Sequence, residues 1–575
     1  MVSQKRSSVQ VKVQYAGSIT CCSSCYWFFF DHGRRLSRGQ WGKEMPCTKS
    51  AHESNGDVRG RLDARSLLQK LDPSRPFSKD YRTLGSIGRG AYGAVYRVEH
   101  RRTGEIRASK EIGLNTEEDR QFAKNELQAM VLLDHPNVLK LYEYFEDRKA
   151  IYLIFEVLTG GDFHTLCGGD QDIEEIRPLY YDVFKALAYC HDQKFAHRDM
   201  KMENCLICDR SSSPRKIGKV IDFGLAGIKR SGDAENWMTT FLGSKFYIAP
   251  EIVDTRINYG FGCDIWSVGV MLYITLADDH PVVENAWNLT TEYFYKSVMG
   301  YRSMRTKPLQ DSSQTDANSC SLLKGLLQRD PSRRLTAQQA EEHEWFRKLD
   351  NSRSSSMMSS WSARCSLNSR LSESSVEIVG SPQAIVKRAM TFRQANQFEK
   401  AILAITAYQE ESEELDVLRE AFMRFDTAGN GTLSREELAK GVEDSGVQMS
   451  EEELGSLFEA LDADQTGKVH FCEFLAGTLH PSEVSSQRAI DEVFDFFDLD
   501  RSGRVKREEL CKVLGNDAAA SSVLAAAQAE GIGYLCKEDF ARIMREVAKD
   551  MEARYHSLPH SIESGSEGLE TSPSL

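Results

Sequence analysis

No stretch of this chain holds the ~18 consecutive apolar residues of a membrane-spanning helix. The nearest approach, Cys25 to Phe30, is far too short and lacks the flanks of a cleavable leader. The 14 cysteines follow neither metal-ligand spacing nor the pattern of a small disulfide-framed domain, so they read as reduced thiols of a cytoplasmic protein. Position 2 is Val, and the Gly of an N-myristoylation pattern is missing. Cys21, Cys22 and Cys25 beside Tyr26, Trp27 and Phe28 leave two readings open. One is a palmitoylated segment lying on a membrane surface, and the other is an unstructured leader or a start codon assigned too far upstream of Met45. An excess of positive charge is missing too: a net charge of −13 disfavours nucleic acid as the main partner and suits a protein that gathers cations. At 575 residues, 41% hydrophobic and 27% charged, the chain is not a single small module. It predicts three or four domains of ~150 residues, or one large two-lobed unit with additions.

The chemistry that is present concentrates in His197 to Asn204 (HRDMKMEN) and in Asp222-Phe223-Gly224. Phosphoryl transfer needs positioning and charge neutralisation more than covalent chemistry. Asp199 suits the acceptor of a substrate hydroxyl proton and Lys201 a clamp on the moving phosphate. Asn204 and Asp222 are hard oxygen ligands for Mg²⁺. Upstream, the run Ile87, Gly88, Arg89, Gly90, Ala91, Tyr92, Gly93 and Val95 sits between two strand-like segments. It therefore reads as a hairpin over phosphates, whereas a dinucleotide-binding turn would lead into a helix. Ala108 and Lys110 follow on a third strand, and Glu126 on a charged helix would fix the Lys110 ammonium.

Taken together these runs resemble the eukaryotic protein kinases over roughly residues 81 to 346, and the resemblance implies further roles. Glu156 and Leu158 would bond adenine through their backbones, with Asp162 just beyond, and Phe155 would close the back of the pocket. Ile173 to Gln193 would be the helix under the catalytic loop, and Asp264 to Gly269 would anchor the lower lobe. Glu251 would pair with Arg334, and Lys201 with Ser244 marks a Ser/Thr rather than a Tyr kinase. Asp278 to Pro308 departs from the family pattern, so substrate preference does not carry over.

Beyond the kinase-like part, Asn351 to Pro382 is Ser-rich and too poor in apolar residues to bury a core. Gln383 to Gln409 then has helical spacing, with Ala389, Phe392, Phe398, Ile402 and Ile405 on one face and Lys387, Arg388, Arg393 and Lys400 as its charges. Such a basic amphipathic helix can bind a calmodulin-like lobe, lie on a membrane or pack as a domain's first helix. An internal repeat follows, scored against EF-hand chemistry: oxygen ligands at loop positions 1, 3, 5, 7 and 9, Gly at 6 and Glu at 12. Loop two has Asp462, Asp464, Thr466, Lys468, His470 and Glu473, and is complete. Loop three has Asp498, Asp500, Ser502, Arg504, Lys506 and Glu509, complete if water serves at position 9. Loop one has Asp426, Asn430, Thr432 and Glu437, but Ala428 brings no oxygen to position 3, which predicts weak binding. A fourth loop, Gln528 to Asp539, keeps Gly533 but has poor calcium chemistry and reads as structural.

Kinase, junction and four EF-hand units in this order resemble the calcium-dependent protein kinases of plants and protists. The implied fold is an α+β two-lobed kinase followed by an all-α, calmodulin-like EF-hand domain. The expected boundaries are an extension at 1–78, kinase at 79–348, linker at 349–382 and an autoinhibitory junction helix at 383–412. EF-hand pairs are expected at 413–480 and 481–550, and a disordered tail at 551–575. The implied cofactors and partners are ATP, Mg²⁺, Ca²⁺, protein substrates and an intramolecular contact between EF-hands and junction helix. Two rivals remain at this point: a constitutive kinase that uses its EF-hands for localisation, and a non-enzymatic pseudokinase scaffold.

Overall fold

A computed structural model describes residue 68 and residues 73–89, 93–167, 172–210, 215–347, 382–444, 449–463, 465–527 and 532–557. The N-terminal cysteines, the Ser-rich stretch 351–381, Gln528 and the last 18 residues lie outside that set, as do Gly90, Ala91, Tyr92 and Asp464.

The first lobe is a five-stranded antiparallel sheet in the order β1-β2-β3-β5-β4. Its strands are β1 (Tyr81–Arg89), β2 (Ala94–His100), β3 (Ile106–Gly113), β4 (Leu141–Glu146) and β5 (Ala150–Phe155). Pairing of Gly88 with Val95 and Arg89 with Ala94 makes β1 and β2 the expected hairpin. Helix α1 (Glu117–Leu132) starts on a reciprocal cap between Thr116 and Asp119. That cap satisfies end donors which the first helical turn leaves free.

The helical lobe is built on α2 (Ile173–Asp192) and α3 (Gly262–Ala277). Almost every residue of α3 is buried, including Trp266, so its side chains form the interior of the lobe and not one amphipathic stripe. A short ribbon of β6 (Cys205–Cys208) and β7 (Ile217–Val220) carries the segment between the two catalytic runs, and α4 (Thr291–Gly300) lies beyond α3.

The junction differs from expectation. Instead of one helix there are two, α5 (Pro382–Arg393) and α6 (Gln397–Gln409), because Asn396 caps a new start by accepting from Phe398 and Glu399 N–H groups. Of its basic side chains Lys387 and Arg388 are buried, Lys400 is half-buried and Arg393 is exposed. Helices α7 (Glu413–Phe425), α8 (Arg435–Asp444), α9 (Glu451–Leu461) and α10 (Phe471–Thr478) form the first EF-hand pair. Helices α11 (Gln487–Phe497), α12 (Arg507–Leu514), α13 (Asp517–Ala526) and α14 (Lys537–His556) form the second. Strands β8 (Thr432–Leu433) and β9 (Val469–His470) join loops one and two, while β10 (Arg504–Lys506) and β11 (Tyr534–Cys536) join loops three and four. The fourth unit thus completes the second pair.

Two expected boundaries shift as well. Pro73 to Asp80 belongs to the fold, with the Pro73 carbonyl accepting from Glu146 and Arg75 bonded to Asp80 and Glu143. At the far end α14 runs into the expected tail as far as His556 and buries Tyr555. A single apolar core connects α1 and α2 to the EF-hand helices.

Candidate functional site: cleft, calcium loops and the face between them

Alternation along the strands puts Val95, Ala108, Lys110 and Phe155 on one face of the sheet, since Val95 pairs with Lys110 and Ala108 with Phe155. Lys110 Nζ reaches both Glu126 carboxylate oxygens at 2.6 Å and Asp222 Oδ1 at 2.9 Å. Burial alone would lower the Lys110 pKa, but the Glu126 and Asp222 carboxylates outweigh it and raise the value, keeping the ammonium charged. Burial likewise works against ionisation of Asp222, and Lys110 reverses it, so its pKa is lowered. Ile87, Gly88 and Arg89 end β1 and Gly93 precedes β2. Phe155 closes β5, with Glu156 and Leu158 following it, and Asp162 caps a 3₁₀ turn through the His164 N–H at 3.0 Å. Glu156 has a second use invisible in the sequence: its side chain is buried and bonded to Lys219 at 2.7 Å and Arg210 at 3.2 Å.

The catalytic loop is fixed from below. Asp264 of α3 accepts the backbone N–H groups of His197 and Arg198, each at 2.8 Å. That hold compensates a strained backbone at Arg198, which sits at a positive φ of 67°; Asp222 has a positive φ of 66° as well. Asp199 is then gripped on both oxygens, by Ser244 Oγ at 2.8 Å and Lys201 Nζ at 2.7 Å. Asn204 donates its amide nitrogen to the Asp199 carbonyl at 2.8 Å, which turns its amide oxygen away from that bond. A carboxylate from Asp222 and an amide oxygen from Asn204 are a hard donor set suited to Mg²⁺. Phe223 is buried against the His197 ring. Glu251 and Arg334 form a fully buried bidentate pair at 2.5 and 3.0 Å.

The EF loops repeat one backbone design. Gly431, Gly467, Gly503 and Gly533 all have positive φ at the sixth position. In loops one to three the first aspartate accepts from the residues at positions 5 and 6, as Asp498 does from Ser502 and Gly503, both at 2.9 Å. The last glutamate folds back to the backbone: Glu437 accepts from Ala428, Glu473 from His470, and Glu509 from Asp500 and Lys506. In loop three, ligand oxygens of Asp498, Asp500 and Glu509 lie within 4.8 Å of one another. This all-carboxylate set fits Ca²⁺.

Position 9 of loop three is Lys506. Lys506 bonds the Asp500 carboxylate, and that bond is the main cause holding its pKa down at about 2. Thr466 and Lys468 in loop two, and Ser502 and Arg504 in loop three, are tied by hydroxyl-to-carbonyl bonds of 3.0 and 3.1 Å. In loop one, Asn430 Oδ1 accepts from Thr432 at 2.7 Å, and Asp426 is only 2% exposed.

That burial exposes what sequence reasoning missed: the EF-hand pairs pack on the kinase. A Cβ on Gly429 would collide with the Glu341 carboxylate, and one on Gly431 with the His135 ring. Asp134, in the turn after α1, accepts the Cys472 N–H and thiol at the start of α10, both at 3.1 Å. Arg210 pairs with Asp416, Arg107 donates to the Gln409 carbonyl, Tyr142 bonds Glu411, and Tyr408 bonds the Leu141 carbonyl. Arg102 reaches Asp495 at 2.5 Å, and Arg488 reaches Glu105 at 3.2 Å. Partners some 300 residues apart leave no local signal, so no periodicity could have announced them.

A two-lobed cleft with this Lys–Glu–Asp arrangement, carried on one chain with paired helix–loop–helix sites, defines a protein kinase with an EF-hand module. The protein kinase domain family matches residues 81–346, and EF-hand domain pair families match 415–479 and 476–517. Calcium-dependent protein kinase 21 of Arabidopsis thaliana is 28% identical over 517 residues, 87% of this chain and 90% of the relative. Calcium-dependent protein kinase 11 of Oryza sativa subsp. japonica is 28% identical over 516 residues, 88% and 83% respectively. With a protein kinase domain followed by EF-hand pairs the chain is similar to the calcium-dependent protein kinases, and it is a Ser/Thr protein kinase that uses ATP and Mg²⁺ and carries EF-hands for Ca²⁺.

Proposed function

We propose that this kinase transfers the ATP γ-phosphate to protein Ser or Thr only when calcium holds the EF-hand pairs around the junction helices α5 and α6. In the transfer step Asp199 orients the substrate hydroxyl and accepts its proton. Lys201 holds the moving phosphate against Asp199, Lys110 fixes the nucleotide phosphates, and Asn204 and Asp222 hold Mg²⁺. The metal's contribution is to neutralise charge between phosphates. Ser244, bonded to the same carboxylate, keeps Asp199 in place.

The observation that carries the regulatory reading is Arg388. It is 3% exposed and donates to Glu414 at 2.6 Å and the Thr478 carbonyl at 3.2 Å, one partner in the first helix and one in the last helix of the first EF-hand pair. A ligand shifts an equilibrium only by differential affinity. Calcium that opens an apolar groove supplies it, by making the EF-hands prefer the junction. Without calcium the junction is released to inhibit the kinase. A cytoplasmic setting belongs to the same proposal, supported by the free thiols of the described cysteines.

One observation favours a second reading of the sign: the Asp134–Cys472 contact braces the turn that follows α1, the helix that carries Glu126. Docked EF-hands would then activate by support rather than by removing an inhibitor. Cutting the chain after Asp350 separates the two. Calcium-independent phosphorylation of a peptide supports release from inhibition, whereas a folded but inactive kinase rescued by residues 351–575 supports the brace. Equal activity of the full chain in calcium and in chelator would refute both.

A further inference from the structure

Leu68 is the one described residue before Pro73, in a stretch whose sequence reads as an extension outside the domains, yet it is 2% exposed and belongs to the main apolar core. The seam it lines is shared by three other parts of the chain. Met130 in α1, Leu133 at the end of that helix and Leu141 in β4 come from the kinase. Tyr408 comes from the junction helix α6, and Phe471 and Leu475 from α10 of the first EF-hand pair.

Little of the seam is left open. About 30 Å³ of space remains in it, which admits a water or two and no organic ligand. The occupant is therefore already in place, and it is the extension's own leucine. Polar contacts bridge the same seam: Asp134 accepts the Cys472 N–H at 3.1 Å, and Tyr408 bonds the Leu141 carbonyl. A few residues beyond Leu68, Pro73 is pinned to the sheet lobe, where its carbonyl accepts from the Glu146 N–H at 2.7 Å.

Resting on the calcium regulation proposed above, we propose that the N-terminal extension is an intramolecular wedge, with Leu68 sealing the seam between kinase, junction helix α6 and α10 and so favouring the calcium-docked arrangement. The argument is one of shared burial. Leu68 loses its surface to all three parts only while they are together, so the free energy of burying it is available to the docked state and not to the separated one.

The test compares the full chain, a chain lacking residues 1–72, Leu68→Ser and Leu68→Met in a peptide phosphorylation assay titrated with buffered calcium. Burial of one leucine, spread over two cooperating calcium ions, predicts a midpoint raised roughly 3–10-fold in Leu68→Ser and in the shortened chain. Full activity should return at saturating calcium, and Leu68→Met, which keeps the apolar bulk, should shift the midpoint less than Leu68→Ser does. Amide hydrogen exchange in calcium reads the seam itself: Leu68→Ser should speed exchange across 471–478 and leave 487–556 unchanged. An unchanged midpoint in Leu68→Ser, a shift in the shortened chain alone, unchanged exchange at 471–478 or faster exchange throughout both EF-hand pairs would overturn the wedge. Wild type equally active in calcium and in chelator would sink the calcium reading, and the exchange at 471–478 would still decide whether Leu68 seals the seam.

Discussion

Asp134 offers the most direct way to test whether EF-hand docking matters to catalysis. Its carboxylate accepts the Cys472 N–H at 3.1 Å, next to the Glu473 ligand, and so does for α10 what a capping side chain does for a helix start. Losing a cap costs about 1 kcal/mol, with 2 as the upper end. A half-buried charged acceptor falls in the same range. Asp134→Ala should therefore weaken the docked arrangement by about 1–2 kcal/mol, a factor of roughly 5–30. If two calcium sites jointly stabilise docking, the shift spreads over both ions and the activating calcium concentration rises by about the square root, roughly 2–5-fold. Kinase activity titrated with buffered calcium reads this directly. Activity at saturating calcium should recover, and Asp134→Asn, which keeps shape and an acceptor oxygen, should lie between wild type and alanine. An unchanged midpoint in Asp134→Ala would mean that the contact carries no coupling.

Asp199→Asn should abolish phosphate transfer while leaving ATP binding largely intact, measured by turnover alongside nucleotide titration; turnover within tenfold of wild type would rule out the assigned role. Glu473→Gln and Glu509→Gln should each raise the calcium needed for activation, whereas Asp539→Asn should hardly change it. Calorimetry of the full chain should show two tight sites and at most one weak one, with Ala428→Asp strengthening the weak one. Lys506→Ser removes the ammonium bonded to Asp500 and should tighten loop three, seen as a lower calcium midpoint. Arg334→Met leaves the Glu251 carboxylate buried without its partner and should cost about 3–5 kcal/mol of stability, read by denaturant unfolding of the kinase lobe.

What the sequence by itself determined is the chemistry with fixed local spacing. Asp199, Lys201 and Asn204 fall in one turn, a glycine-rich hairpin has strands on both sides, and EF loops count their ligands at alternate positions. Each of these is a short-range constraint on residue type, legible without knowing the fold. Calcium chemistry in loop one was half legible: Ala428 announced the missing oxygen, but only packing shows Asp426 shut in beside Glu341 and Lys185. The junction illustrates the limit most clearly. Across 383–409 Asn396 with Glu399 three residues on is a local signal of a second helix start, but nothing local says that Arg388 folds inward. Tertiary structure decided it because Glu414 and the Thr478 carbonyl arrive from far along the chain to satisfy a buried guanidinium, which without them would cost more than it gains. The docking of EF-hands on the kinase was decided the same way. Its hydrogen bonds and ion pairs join groups some 300 residues apart, and such partners are set by how surfaces fit, which no periodicity in the chain encodes.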